Sequence, residues 1–91
     1  MQVEFDAKKA AANLRKHRVS LDEAAGSLLD PLALVREDPS AQGEARFVLV
    51  GISARERLLT VCYALPDEET IRLISARRAT AKEKREYATG I

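Results

Sequence analysis

The residues with the clearest chemical potential lie between Thr70 and Tyr87. Ile71, Leu73 and Ile74 are the apolar, partly β-branched residues of a strand, and that strand ends in two adjacent arginines, Arg77 and Arg78. Thr80 and Glu83 follow with the S/T-x-x-E spacing of a capping box, so a helix begins directly after the arginines. Two guanidiniums at the end of a rigid strand, beside a helix N-terminus, suit the clamping of a phosphate and point toward a nucleic-acid backbone. Neighbours on a strand face opposite ways, which puts Arg77 on the face of Ile71, Leu73 and Ser75 and Arg72 on the other. The competing role for Arg77 and Arg78 is a structural ion pair. Arg72 reads as a salt-bridging surface residue.

His17 is the second focus. It is the only histidine, and an imidazole is the one side chain that changes charge near neutrality without a perturbing environment. It closes a basic cluster with Arg15 and Lys16. The alternative is a helix-end histidine bonded to the last carbonyls. Other chemistries find no support: there is no Cys/His metal-ligand spacing, no Gly-rich phosphate loop and no nucleophile elbow. Neither a metal nor an organic cofactor is expected.

The elements that must position these groups can be read from local signals. Residues 3–5 are extended, and Asp6 is a suitable N-cap for a helix over residues 7–17, with Ala7, Ala10, Ala11 and Leu14 on one face. Ser20 and Glu23 form a capping box for a second helix, with Val19 and Ala24 as a hydrophobic staple. Leu21, Ala24, Ala25, Leu28 and Leu29 keep helical spacing until Asp30-Pro31 ends it. Residues 32–35 suit a short strand, and 38–44 a loop. Residues 47–53 and 58–65 are strands of an antiparallel hairpin closed by residues 54–57. Pro66-Asp67-Glu68-Glu69 reads as a turn back into strand 70–77, and a final helix covers 81–89 with Gly90 as its cap. The result is an α+β fold: an antiparallel sheet meander with two N-terminal helices and one C-terminal helix packed on it.

At 91 residues the chain is expected to be a single domain spanning 1–91. Tryptophan is absent and aromatics are 4 % of residues, so aliphatic packing must dominate the core. The single cysteine, Cys62, lies in an apolar run and reads as a small buried hydrophobe. No apolar run is long enough to cross a membrane, no signal peptide is recognisable, and a reducing cytoplasm is the expected compartment. The net charge of +1 hides an asymmetry. Residues 1–18 carry five cations against two acids, residues 72–91 six against two, and residues 19–71 four against ten. A fold that joins the two ends makes a basic face on a nearly neutral protein.

The ordered segments Glu4-Phe5-Asp6, Asn13-Leu14-Arg15-Lys16-His17, Ser20-Leu21-Asp22-Glu23-Ala24, Ile74-Ser75-Ala76-Arg77-Arg78-Ala79 and Glu83 with Tyr87 together resemble the BrnT toxins. These are the ribonuclease half of BrnT/BrnA type II toxin–antitoxin systems, and the resemblance runs from about residue 3 to residue 87. It implies a RelE-like fold, RNA cleavage without a metal, and arrest of translation and growth. The positions matching the family pattern are Lys8, Asn13, Lys16, His17, Glu23, Arg77, Glu83 and Tyr87. From the residues and the resemblance together, the catalytic candidates are His17, Arg77, Arg78, Lys16, Tyr87 and Glu23, and the RNA-binding candidates are Lys8, Arg15, Arg55 and Arg57. Arg55 and Arg57, at the hairpin tip, would contact a larger RNA surface such as a ribosome; the competing explanations are solvated tip charge for these two, a cap role for Glu23 and a ring packed on the sheet for Tyr87. The implied partner is a BrnA-type antitoxin with a ribbon–helix–helix part, through which operator DNA is reached. Exposed sheet edges open a route to a homodimer. Two other readings stay open: an RNA- or ribosome-binding inhibitor that does not cleave, and a detoxified co-repressor. One departure bears on the last. Glycine usually follows the lysine–histidine pair, whereas this chain has Arg18, which suggests a different end to the first helix.

Overall fold

In the computed structural model, which describes residues 1–90, the chain runs β1 (Gln2–Glu4), α1 (Ala7–His17), α2 (Leu21–Ser27), β2 (Leu34–Glu37), β3 (Arg46–Ile52), β4 (Leu58–Asp67), β5 (Thr70–Arg78) and α3 (Ala81–Thr89). One five-stranded sheet has the order β1-β5-β4-β3-β2. Strands β2 to β5 form the expected antiparallel meander. The sheet is nevertheless mixed, because β1 pairs parallel to β5 through Gln2–Thr70, Val3–Ile71 and Glu4–Arg72. Helices α1 and α2 intervene between β1 and the meander, which is the crossover a parallel pair requires.

Local capping explains the helix starts. The Asp6 carboxylate accepts from the Lys9 amide at 3.0 Å, and the Ser20 hydroxyl accepts from the Glu23 amide at 3.0 Å. Helix α1 ends at Arg18, whose φ of 59° and ψ of 31° are left-handed. Arginine therefore occupies the conformation expected to require glycine, and the departure leaves the helix end intact. Helix α2 stops at Ser27, earlier than its apolar pattern suggests. The amides of Leu28, Leu29 and Asp30 bond to carbonyls three residues back, turning Leu29 out to 84 % exposure while Leu28 stays on the core. A Cβ at Gly51 would lie 2.9 Å from the Ser27 carbonyl oxygen, so glycine permits this close approach of α2 to β3.

One sheet face packs against α1 and α2. There Leu49, Leu59, Val61, Tyr63, Leu73 and Ala76 join Val19, Leu21 and Ala24 in the buried core, and Phe47 stacks on Tyr63 with ring centroids 5.5 Å apart. Helix α3 lies on the opposite face, where Glu83 reaches Thr60 and Arg77. The helices therefore flank the sheet instead of sharing one side. Two irregularities reset the β4–β5 register. Cys62 pairs with Ser75 but Tyr63 with Leu73, leaving Ile74 as an extra residue. That bulge separates Leu73, which faces the core, from Ser75 and Arg77, which face away, so the simple alternation expected along β5 fails. The second lies between Ala64 and Asp67 and lets β4 continue through Pro66, whose missing N–H is tolerated at a bulge. The turn is then only Glu68-Glu69, with Asp67 accepting from the Glu69 amide at 2.8 Å.

Candidate functional site

The face opposite α1 and α2 carries two adjacent cross-strand rows. Register pairs Arg36 with Val48, Val48 with Cys62 and Cys62 with Ser75; the next row runs Leu34, Val50, Thr60 and Arg77. Helix α3 covers part of this face, and the remainder is a cleft of about 270 Å³ lined by His17, Arg36, Val48, Thr60, Cys62, Ser75, Ala76 and Arg77. Beside it a groove of about 230 Å³ between α1 and β5 is lined by Lys9, Ala12, Asn13, Lys16, His17, Ile74 and Ser75. His17 and Ser75 belong to both.

His17 reaches the cleft because Asn13 fixes the end of α1 to β5. Strand β1 covers β5 only as far as Arg72, so the later edge of β5 lacks a strand partner. The buried Asn13 carboxamide substitutes: it donates to the Ala76 carbonyl at 2.9 Å and accepts from the Ala76 amide at 3.1 Å. It also donates to the Val19 carbonyl at 2.9 Å. One helical turn on, His17 stands over that edge. No distinctive spacing in the sequence marks Asn13 as this bracket.

Arg77 enters the cleft already oriented. Its guanidinium donates to both Glu83 carboxylate oxygens, at 2.8 and 3.1 Å. Glu83 further accepts from the Thr60 hydroxyl at 2.8 Å and the Thr80 amide at 2.8 Å, and its own amide donates to the Thr80 hydroxyl, completing the capping box. With Arg77 as the chief cause, the Glu83 carboxyl is held down to about 2, so it is a fixed anion at neutral pH. The Arg77 side chain is 41 % exposed, which leaves its other N–H groups available to an anion.

The other candidates are distributed differently. Lys16 lies in the neighbouring groove. Arg78 pairs in register with the core residue Leu59, so it stands on the face away from Arg77. Lys8 and Arg15 are exposed on α1 and line neither depression. Glu23 does not complete its capping box, because its carboxylate turns to Arg57. The guanidinium makes a paired contact, with Nε at 2.9 Å and Nη2 on the second oxygen, and the Ser53 hydroxyl donates to Glu23 at 2.7 Å. Those bonds, with Arg57 foremost, lower the Glu23 carboxyl. Arg55 reaches the same carboxylate at 3.9 Å from an exposed position. Glu23, Arg55 and Arg57 thus form an ion-pair cluster outside the cleft. Tyr87 donates to Asp30 at 2.5 Å, which raises the phenol and anchors α3 to the α2–β2 turn. Arg72 is paired as expected, with Glu4 at 3.0 Å and Glu44 at 3.3 Å.

Arg36, Thr60 and Ser75 are cleft residues that sequence reasoning missed. The available signal was strand alternation through Leu34 and Arg36, obscured by placing that strand at 32–35. Cys62 is also in the cleft, half-buried, instead of in the core, and burial pushes its thiol up.

Comparison with known proteins agrees with this architecture. A crystal structure of the Brucella abortus ribonuclease toxin BrnT matches with a TM-score of 0.65 at 20 % identity, covering 88 % of this chain and 97 % of that one. At that identity the likeness establishes the fold. No curated protein sequence matches. Residues 5–83 match the family model described as the ribonuclease toxin BrnT of type II toxin–antitoxin systems, and the chain therefore belongs to the BrnT family.

Proposed function

We propose that this chain, acting as one RelE-like domain in the cytoplasm, is a metal-independent endoribonuclease that arrests translation and growth until a BrnA-type antitoxin binds it. The observation that carries this reading is the cleft on one open sheet face that His17 and Arg77 both line, with no carboxylate among its described lining residues. In the proposed reaction a ribose 2′-oxygen attacks the adjacent phosphorus and the P–O5′ bond breaks. The products are a 2′,3′-cyclic phosphate and a 5′-hydroxyl. His17 takes the 2′-proton as general base, and Arg77, oriented by Glu83, stabilises the charge on the phosphoryl oxygens. A water supplies the proton to O5′. Lys16, one residue from His17, adds positive potential at the cleft edge. The antitoxin's ribbon–helix–helix part would carry the complex to operator DNA.

A second reading rests on one specific observation. Among its described lining residues the cleft holds one imidazole, His17, and no carboxylate, amine or phenol, whereas transesterification needs one proton removed and another delivered. A protein that only occupies RNA or the ribosome would need neither. Inducible expression without antitoxin, followed by mapping of RNA 5′ ends, separates the two. New discrete ends accompanying growth arrest, absent with Arg77→Ala, are expected for the ribonuclease; arrest with intact RNA selects occupancy.

A further inference from the structure

The depressions on the described surface differ in the charge of their linings. Those at β2–α3, at the β4–β5 turn and beside β1 carry, respectively, Glu83 and Glu86; Asp67, Glu68 and Glu69; and Glu4 and Asp6. The cleft and the α1–β5 groove carry no carboxylate. The two share His17 and Ser75 and so form one trough, whose far end at Arg36 and Val48 also borders the β2–α3 depression. It starts beside Lys9 on α1, passes Lys16 and crosses β5, β4 and β3 to Arg36 on β2.

Among the described residues Lys9, Lys16, His17 and Arg36 make no side-chain hydrogen bond or ion pair, whereas Arg57, Arg72 and Arg77 are each held by a carboxylate. Lys9 and Lys16 are seven residues apart on α1, about 10 Å along its axis, so they present a row of charge and not one point. Arg36 extends that row to the far side of the sheet. No Phe or Tyr ring lines the trough, since Phe47 and Tyr63 stack on the opposite face. A base finds only the His17 imidazole and guanidinium planes to stack on, whereas a phosphate has several cations.

Resting on the ribonuclease reading, we propose that a single RNA strand lies across the β-strands in this trough, gripped by its phosphates between Lys9 and Arg36, with His17 and Arg77 at its middle. Lys9 and Arg36 are then binding residues flanking the scissile position. Contacts made chiefly to the backbone make the grip tolerant of sequence and sensitive to salt.

The test separates binding from cleavage. A labelled 2′-fluoro RNA of about 12 nucleotides, within the footprint of single-strand binders, lacks the attacking hydroxyl. Its affinity is measured by fluorescence anisotropy over a salt series for the wild type, Lys9→Ala, Arg36→Ala and a control, Lys84→Ala, on α3 outside the trough. Each trough variant is expected to lose about fivefold in affinity, as an exposed ion pair of about 1 kcal/mol gives, and to flatten the log–log salt slope by about 0.7. Lys84→Ala should change neither. Unaltered affinity in both trough variants, or an equal loss in the control, overturns the proposal, and so does a wild type that does not bind. Cleavage of unmodified RNA is followed alongside. Cleavage indifferent to Lys9 and Arg36 sinks the trough and keeps the nuclease; binding that depends on both without cleavage keeps the trough and sinks the nuclease.

Discussion

Arg77 and Glu83 meet across the junction of β5 and α3 through two parallel hydrogen bonds, 2.8 and 3.1 Å long, so one carboxylate both starts a helix and aims an arginine. The arrangement ties the secondary-structure boundary to the cleft. Changing Glu83 to Gln keeps much of the cap but removes the charge, and should destabilise the protein by about 2 kcal/mol. The pH dependence follows from the depressed carboxyl. Its folded value of about 2 lies below the ordinary 4.5, so its stabilisation is complete above 4.5 and lost as pH falls toward 2. Urea unfolding of wild type and Glu83→Gln should show the full difference at neutral pH and a vanishing one near pH 2. A difference independent of pH would contradict the pairing.

Arg57 and Arg55 share a hairpin and one carboxylate, yet their environments differ. The Arg57 side chain is 20 % exposed and Arg55 73 %, against 4 % for Glu23. Arg57→Ala leaves the buried Glu23 carboxylate with only the Ser53 hydroxyl and the exposed Arg55 at 3.9 Å, and should destabilise the protein far more than Arg55→Ala, which should cost about 0.5 kcal/mol or less. Chemical denaturation checks both. Because Arg57 faces Glu23, its loss should leave RNA affinity of the folded fraction unchanged; a specific affinity loss would return it to the RNA surface.

Asn13 predicts a local effect. Replacing it with Leu strands the N–H and C=O of Ala76 and the Val19 carbonyl beside the core, at a cost of about 3 kcal/mol. Amide exchange at Ala76 should accelerate more than at Val61, which lies inside the sheet. Equal acceleration at both would mean that Asn13 acts on global stability alone.

How far the sequence reveals this structure depends on the range of the interaction. The starts of α1, α2 and α3 are legible because Asp6, Ser20 and Thr80 bond to amides three residues away, and the β3–β4 hairpin because its apolar runs are adjacent. The partner of β1 is not legible: three residues carry no sign of pairing with a strand nearly seventy positions on. The bulge at Ile74 is equally silent, and it decides which way Ser75 and Arg77 face. The candidate site suffers the same limit. His17 and Arg77 stand out by residue type, but Arg36 joins them only through a register crossing three strands. Glu23 shows the converse case, a convincing local motif whose side chain is taken by a residue 34 positions away.

Arg18 offers a prediction of the opposite sign. A left-handed backbone costs a residue with a Cβ about 1 kcal/mol, and glycine escapes that penalty. Among the described contacts the Arg18 guanidinium makes none, while its carbonyl accepts from Arg57 at 3.4 Å, a bond that glycine retains. Arg18→Gly should therefore raise the urea midpoint by the equivalent of about 1 kcal/mol without changing the slope. A lower midpoint would show that the side chain contributes something its backbone geometry does not reveal.

His17 carries the sharpest functional expectation. It lines both the cleft, with Arg77, and the adjoining groove, and among the described residues its side chain makes no hydrogen bond or ion pair. Under the proposed general-base role, replacing His17 by Ala should slow single-turnover RNA cleavage by about 100-fold or more. If its work is proton removal, the binding of uncleavable 2′-fluoro RNA should change by no more than the loss of one weak contact. Exogenous imidazole, small enough for a 270 Å³ cleft, should then restore part of the rate in His17→Ala and none in Arg77→Ala. Rescue of neither variant, together with a binding loss that accounts for the whole rate defect, would assign His17 to holding the strand.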